Sequence, residues 1–311
     1  MAFNSLISRS DAASLVPEEV SKAMLTSLSA QSSVLALGQR IPMARNQTRF
    51  PVLSALPTAY FVSGDTGLKQ TTQAAWDNKF MYVEEIATIV PIPESVLDDA
   101  GFDVWGSIQP LMEAAISRTL DAAVIFGASA PATWAAEGNL VGKAVAAGNV
   151  VARGTNTQAN GGIHGDLSDV VGTLEADGYN PNGAVGNVTL KARLRQVRDT
   201  TGQTIVLPAD VPTPSYGLAG LWPTGLSAAE LLVGDFSSLV VGVRQDMTYK
   251  LITEGVITDA GGLIVYNLPQ QDMVALRLVF RAAYAVANPI NYQEGVEANR
   301  SPFAVLRSPA V

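Results

Sequence analysis

From Asp272 to Ala287 the chain alternates with a period of two for sixteen residues. Val274, Leu276, Leu278, Phe280, Ala282, Tyr284 and Val286 fall on one side, and Ala275, Arg277, Val279, Arg281, Ala283 and Ala285 on the other, which is the pattern of an extended strand. Sixteen residues reach about 53 Å, beyond the usual strand length. The spacing predicts an element that crosses from one subdomain into another. Those two parts are then not simply successive in sequence.

Other segments differ in character. Pro17 opens a short amphipathic helix with Glu18 and Glu19 at the positive end of its dipole and Val20, Met24, Leu25 and Leu28 at helical spacing. Residues 48–90 read as a long hairpin: Phe50 to Val62 outward, a tip near Asp65, then a polar return leg to Phe80, Tyr82, Ile86 and Val90. A two-stranded ribbon with few large apolar residues near its tip does not stabilise itself, so a neighbouring subunit is expected to cover it. Pro93-Glu94-Ser95 signals a short helix. Trp105, Ile108, Met112, Ile116, Leu120 and Val124 then mark the strongest helix, with Pro110 either opening its regular part or kinking it.

Residues 128–163 are rich in Gly, Ala and Asn with little periodicity and read as a loop region with some strand. Beyond them an α/β arrangement is expected. Asp166 is expected to cap a helix carrying Leu167, Val170, Val171 and Leu174; Ala184 to Val188 reads as a strand; Thr189 is expected to cap a helix with Leu190, Leu194 and Val197. Further strands are predicted at Glu230 to Gly234, Leu239 to Arg244, Leu251 to Thr258 and Leu263 to Tyr266.

The chain is 48% hydrophobic and only 15% charged, against roughly 25% charged in a typical soluble domain. Some of its surface is therefore expected to meet other chains. Twenty basic against 28 acidic residues give 20 − 28 = −8, which disfavours sequence-specific DNA binding. There is no cysteine, so disulfides and thiolate chemistry are excluded. No apolar run reaches the 18 or so residues that would span a bilayer, and no membrane partner is expected.

No catalytic constellation is legible. Asp65-Thr66-Gly67 matches the aspartic-protease triplet, but that chemistry needs two carboxylates and no second copy exists, so the turn-tip reading is preferred to an aspartic-type hydrolase using Asp65. Gly138 to Ala144 resembles a phosphate loop with the glycine spacing one short and no hydroxyl for magnesium. His164, the sole histidine, lies in a Gly-Gly-Ile-His-Gly stretch and reads as a solvated loop residue. Glu84 and Glu85, adjacent on a strand, point to opposite faces and cannot pair as acid and base; salt links are the expectation, as for Asp98 and Asp99. Lys191, Arg193, Arg195 and Arg198 form a small basic patch expected to serve subunit contacts. No catalytic, cofactor-binding or metal-ligating residue is assigned, and no cofactor is expected.

The order of these segments resembles that of tailed-phage major capsid proteins with the HK97-type fold. The likeness is carried by Leu15-Val16-Pro17-Glu18-Glu19-Val20, the hairpin, Pro93 to Asp99, the helix ending Ala123-Val124-Ile125-Phe126-Gly127, and Leu174 to Pro181. It continues through Asp199-Thr200-Thr201-Gly202, Gly234-Asp235-Phe236-Ser237-Ser238, and Asp272 to Ala287 with Arg277 and Arg281. The resemblance implies an α+β fold with an N-terminal arm at 1–47, an E-loop at 48–80, a peripheral domain at 81–129 and 272–311 holding a spine helix, and an axial domain at 130–271. It also implies a non-enzymatic shell protein whose hexamers and pentamers enclose phage double-stranded DNA in the virion, assembled in the host cytoplasm.

Portal and a possible decoration protein are further partners expected, and scaffolding is expected to come from a separate protein or to be omitted, because the arm-like segment begins within about fifteen residues of Met1. An encapsulin-like compartment is the alternative within the same fold. Some relatives crosslink a lysine to an asparagine; Lys69 with Asn288 or Asn291 would be the residues here, and crosslinking is not expected.

Overall fold

The computed structural model describes residues 32–62, 67–100, 103–198, 203, 213–215, 222–224 and 228–309. The helix expected from Pro17, the hairpin tip at Asp65 and the segment Asp199 to Gly202 lie outside the described residues. In chain order the regular elements are α1 (Ser33–Leu37), β1 (Gln39–Pro42), β2 (Gln47–Ala55), β3 (Ala75–Tyr82), β4 (Glu84–Pro93), α2 (Glu94–Asp99), α3 (Val104–Asp121), α4 (Ala132–Ala135), α5 (Leu140–Ala146), β5 (Val150–Ala152), α6 (Ile163–Ala176), β6 (Gly183–Gly186), α7 (Val188–Gln196), β7 (Ala229–Gly234), β8 (Leu239–Ile252), β9 (Val256–Thr258), β10 (Ile264–Asn267), β11 (Met273–Val286) and β12 (Phe303–Arg307).

Two four-stranded sheets organise the molecule, one in the order β1-β8-β11-β4 and the other β5-β12-β7-β6. β11 is the alternating strand of the sequence. It pairs antiparallel with β8 from Ala275 to Val286 and with β4 from Met273 to Ala282. The strand stays within the first sheet, contrary to the crossing expected of it. After it the chain returns to the second sheet, which already holds β5, β6 and β7, by way of β12, which pairs with β7 and β5. Phe303–Arg307 therefore does not share a sheet with the β4 segment, although both fall within the expected peripheral segments 81–129 and 272–311.

The period-two pattern explains the layering. From β11, Leu276, Leu278 and Phe280 face Met112 and Ile116 of α3, in a core that continues through Leu232 of β7 and Phe303 and Val305 of β12. The alternate residues of the second sheet, Leu231, Val233, Ala304 and Leu306, face Leu167, Val170 and Leu174 of α6 and Leu190 of α7. The second sheet is thus buried on both faces. On the other face of the first sheet, Ala283 and Ala285 pack with Met43 and Met81.

α3 starts where Asp103 accepts from the Gly106 N–H at 3.0 Å, runs through Pro110, and passes into a π-helical turn at Ala122–Phe126. Gly127, left-handed at φ 71°, ends it. Asp121 at its last turn is fully buried and binds the arm: its carboxylate accepts from Ser32 Oγ at 2.6 Å, Ser33 N at 2.9 Å and Val34 N at 3.1 Å, capping α1. Burial pushes this carboxyl from 3.8 up to about 6, against the pull of the three donors.

A carboxyl raised in the folded state contributes stability that is complete below the unfolded value and lost as pH rises through the folded one. About two units correspond to about 3 kcal/mol. Between pH 4 and pH 7 the unassembled wild-type subunit is expected to lose that amount relative to Asp121→Asn, which does not titrate. Urea midpoints of the two proteins at both pH values check this, and a pH-independent gap would contradict it.

Several local expectations need correction. Leu251 to Thr258 is not one strand: β8 ends at Ile252 and β9 begins at Val256, because the chain bends at Thr253-Glu254-Gly255 with Gly255 at φ 116°. Residues 128–163 hold α4, α5 and β5 rather than a loop; the α5 cap is Asn139, accepting from Gly142 N at 2.6 Å, and only Leu140 and Ala144 are buried, too few to show as periodicity. α6 begins at Ile163, so Asp166 lies within its first turn, and Asn187 rather than Thr189 caps α7. Asp166 instead accepts from the backbone N–H groups of Gly154 at 2.6 Å and Asn156 at 2.8 Å.

Candidate assembly surfaces

The hairpin is tied down only at its base. β2 and β3 pair antiparallel from Gln47 opposite Tyr82 to Ala55 opposite Ala75, and beyond them residues 56–62 and 67–74 have no regular structure. Three contacts hold the base to the segment after β11: Ile290 N donates to Leu53 O at 3.0 Å, Lys79 pairs with Glu297 at 2.7 Å, and Tyr292 Oη reaches Pro57 O at 3.4 Å. Trp134 Nε1 donates to Tyr82 O at 2.9 Å and fixes the return to β4.

Outward from there the apolar side chains are uncovered. Phe61 is fully exposed, Leu68 is 90% exposed and Trp76 65%, with Tyr60, Val62 and, across from the base, Tyr292 at 81%. Each such side chain gains about 1.5–3 kcal/mol when buried. A second ribbon, β9 with β10, repeats the situation at the far end of the long sheet, where Leu263 and Ile264 are 72% and 63% exposed beside Val256 and Val265. Patches of this kind on one chain mark surfaces that meet a partner.

The residues singled out for chemistry are not brought together. Asp65 lies outside the described residues. Glu84 accepts from Thr133 Oγ1 at 2.5 Å while Glu85 pairs with Arg281 at 2.8 Å, so the two carboxylates diverge into separate polar links as their strand geometry predicts. Gly138 to Ala144 forms the cap and body of α5 instead of a phosphate cradle. His164 is the clearest misreading: it sits in the first turn of α6, 6% exposed, with neither ring nitrogen hydrogen-bonded, and desolvation lowers its pKa. The signal was present in the spacing His164, Leu167, Val171, which carries the buried stripe one turn further back.

In the basic patch, Arg193 shares the buried Glu230 with Arg153, at 2.6 and 2.8 Å, beside a cavity of about 440 Å³ that Asn187 and Thr189 also line. Arg198 instead donates to the carbonyls of Arg195 and Val197. Asn288 accepts from Tyr179 Oη at 2.5 Å and donates to Arg300 O at 3.1 Å, and Asn291 donates to Asp177 O at 2.6 Å. Both asparagines are engaged in holding the segment that carries the chain into β12. Among the described residues no cluster of His, Asp and Glu could hold a metal ion, and no helix is long and apolar enough to cross a membrane.

Known proteins match this chain over nearly its whole length. The model of the phage capsid family covers residues 12–291. The major capsid protein of Staphylococcus phage 80alpha is 25% identical over 295 residues, covering 92% of this chain and 86% of that protein. A solved structure from Microbacterium phage Oxtober96 is 36% identical with a TM-score of 0.83, covering 98% of this chain and all of the other. One from Mycobacterium phage Bobi is 30% identical with a TM-score of 0.85, over 99% and 100%. With the helix-backed sheet, the base-anchored hairpin and the doubly covered second sheet, these likenesses place the chain in the phage capsid family, with the HK97-type fold.

Proposed function

We propose that this chain is the major capsid protein of a tailed phage, and that its copies form pentamers and hexamers closing an icosahedral shell around double-stranded DNA. The observation that carries this reading is the β2–β3 hairpin, whose outer half exposes Phe61, Leu68 and Trp76 with no cover from the described residues. In a closed shell each such hairpin finds its cover on the next subunit, and a heterologous contact whose rotation closes gives rings. The parts are an arm at 1–47, an E-loop at 48–80, a peripheral domain at 81–129 and from 272, and an axial domain at 130–271 to which β12 adds its strand.

The role is structural, with no reaction performed. A net charge of −8 keeps the wall from gripping packaged DNA, and no sequence-specific contact is made. A separate scaffolding protein, a portal and a decoration protein are the further partners, assembly taking place in the host cytoplasm. Crosslinking through Lys69 is not part of the account, since the amides of Asn288 and Asn291 are already committed to Arg300, Tyr179 and Asp177.

Particles purified from infected cells and treated with nuclease are expected to retain double-stranded DNA. Particles filled with a protein cargo, as in an encapsulin-like compartment, would contradict the proposal. Asp65→Ala is expected to leave particle yield unchanged within about twofold. Any peptidase activity of the wild type that this substitution removed would overturn the structural role.

A further inference from the structure

The face of the first sheet turned away from α3 packs on Met43 and Met81 at Ala283 and Ala285; below them Ala275 and Val279 are buried, Arg277 and Arg281 half-buried and Lys250 exposed. Register sets which charges meet on this lower half. Lys250, Arg277 and Ile89 stand side by side on β8, β11 and β4; the next row is Thr248, Val279 and Ala87, and the next Gln245, Arg281 and Glu85. Arg281 has its partner in Glu85. Lys250 and Arg277 do not: they are like charges directly opposite on neighbouring strands, an arrangement that destabilises a sheet. Neither forms an ion pair with the described residues, and Arg277 Nε is buried without a hydrogen bond. In a chain of net charge −8, two uncompensated cations at one point of a sheet face need an explanation.

The converse anomaly lies on α2. Glu94 and Asp98 are like charges four residues apart, and Asp98 and Asp99 occupy the negative end of the helix dipole with no basic residue in the last turn. All three are exposed and none forms an ion pair with the described residues. α2 is thus a small acidic knob with Asp98 and Asp99 at the dipole end that disfavours them, on the same subunit as two like charges facing each other across a sheet.

We propose that the Lys250–Arg277 pair receives the carboxylates of α2 from a second copy of this chain, so that each subunit presents the knob to one neighbour and the socket to the other. The inference rests on the self-assembly proposed above. It accounts for both charge defects at once, and as a directional contact between unlike surfaces it sets the order of subunits round a ring.

Charge reversal tests it. Lys250→Glu with Arg277→Glu, and separately Glu94→Lys with Asp98→Lys and Asp99→Lys, are each expected to lower particle yield at physiological salt at least tenfold, and all five together to restore it to within about threefold. Melting of the unassembled subunits confirms that each variant folds; where Arg277→Glu does not, Lys250→Glu paired with Asp98→Lys carries the same comparison. Wild type run in parallel separates the two claims. If it forms no particles, the assembly reading fails; if it forms them while the reversed socket assembles normally, or while the five-fold reversal is no better than its halves, the knob-and-socket contact is wrong.

Discussion

Replacing residues 56–74 by an Asn-Gly turn between Ala55 and Ala75 is expected to abolish particle formation while leaving a folded, soluble subunit. Ala55 and Ala75 are already opposite one another, so a two-residue turn closes the ribbon without disturbing its register. The base keeps its bonds to Ile290, Glu297 and Trp134 and loses only the 3.4 Å contact of Tyr292 with Pro57, and the shorter connection costs less loop entropy than the natural one. What the deletion removes are Phe61 and Leu68, which contribute nothing to the isolated fold and several kcal/mol to a contact between copies. Sedimentation of the variant should show monomer alone, with a melting temperature close to that of the unassembled wild type. Particles formed at the wild-type yield would mean that the hairpin is not an assembly element.

The second large effect is on folding itself. Phe303 is fully buried in β12, with its ring 5.3 Å from that of Phe236 at 74°. Gly234 packs beneath the pair so tightly that a Cβ there would lie 2.3 Å from Phe303 and 2.6 Å from the Pro302 carbonyl oxygen. Phe303→Ala is expected to cost about 3–5 kcal/mol, from lost burial, the cavity left behind and the edge-to-face contact. That is a large share of the 5–15 kcal/mol that holds a domain. Because Phe303 lies in the core shared by the second sheet and β11 of the first, the loss should appear as a single shift of the urea midpoint for both sheets. A cost under about 1 kcal/mol would show that this packing is not what joins them.

The strand at β11 was legible because its side facing α3 is buried from end to end while the other side admits Arg277 and Arg281, and α3 because its apolar residues recur on one side for five turns. The hairpin was legible as an unpartnered ribbon, though only its inner half pairs. What escaped was structure specified by small or polar residues. α5 is defined by an Asn139 cap and two buried positions; the first turn of α6 follows glycines and includes a buried histidine; and the site that binds the arm is a carboxylate, Asp121, whose partners lie 87 to 89 residues away. β12 escaped altogether, because Phe303 to Leu306 is buried on both faces and shows no alternation, and alternation is in any case silent on which sheet a strand joins. The same holds for Lys250 and Arg277, whose pairing is visible only once β8 and β11 are in register.

The central claim is that a single copy leaves contacts unmade which further copies supply. Sedimentation velocity on the purified wild-type protein, across a hundredfold range of concentration and followed by negative-stain imaging of the fast fractions, addresses it directly. The account predicts a steep conversion of monomer into rings and closed shells as concentration rises. A monomer that stays monodisperse throughout, with its hairpin protected from protease, would contradict it.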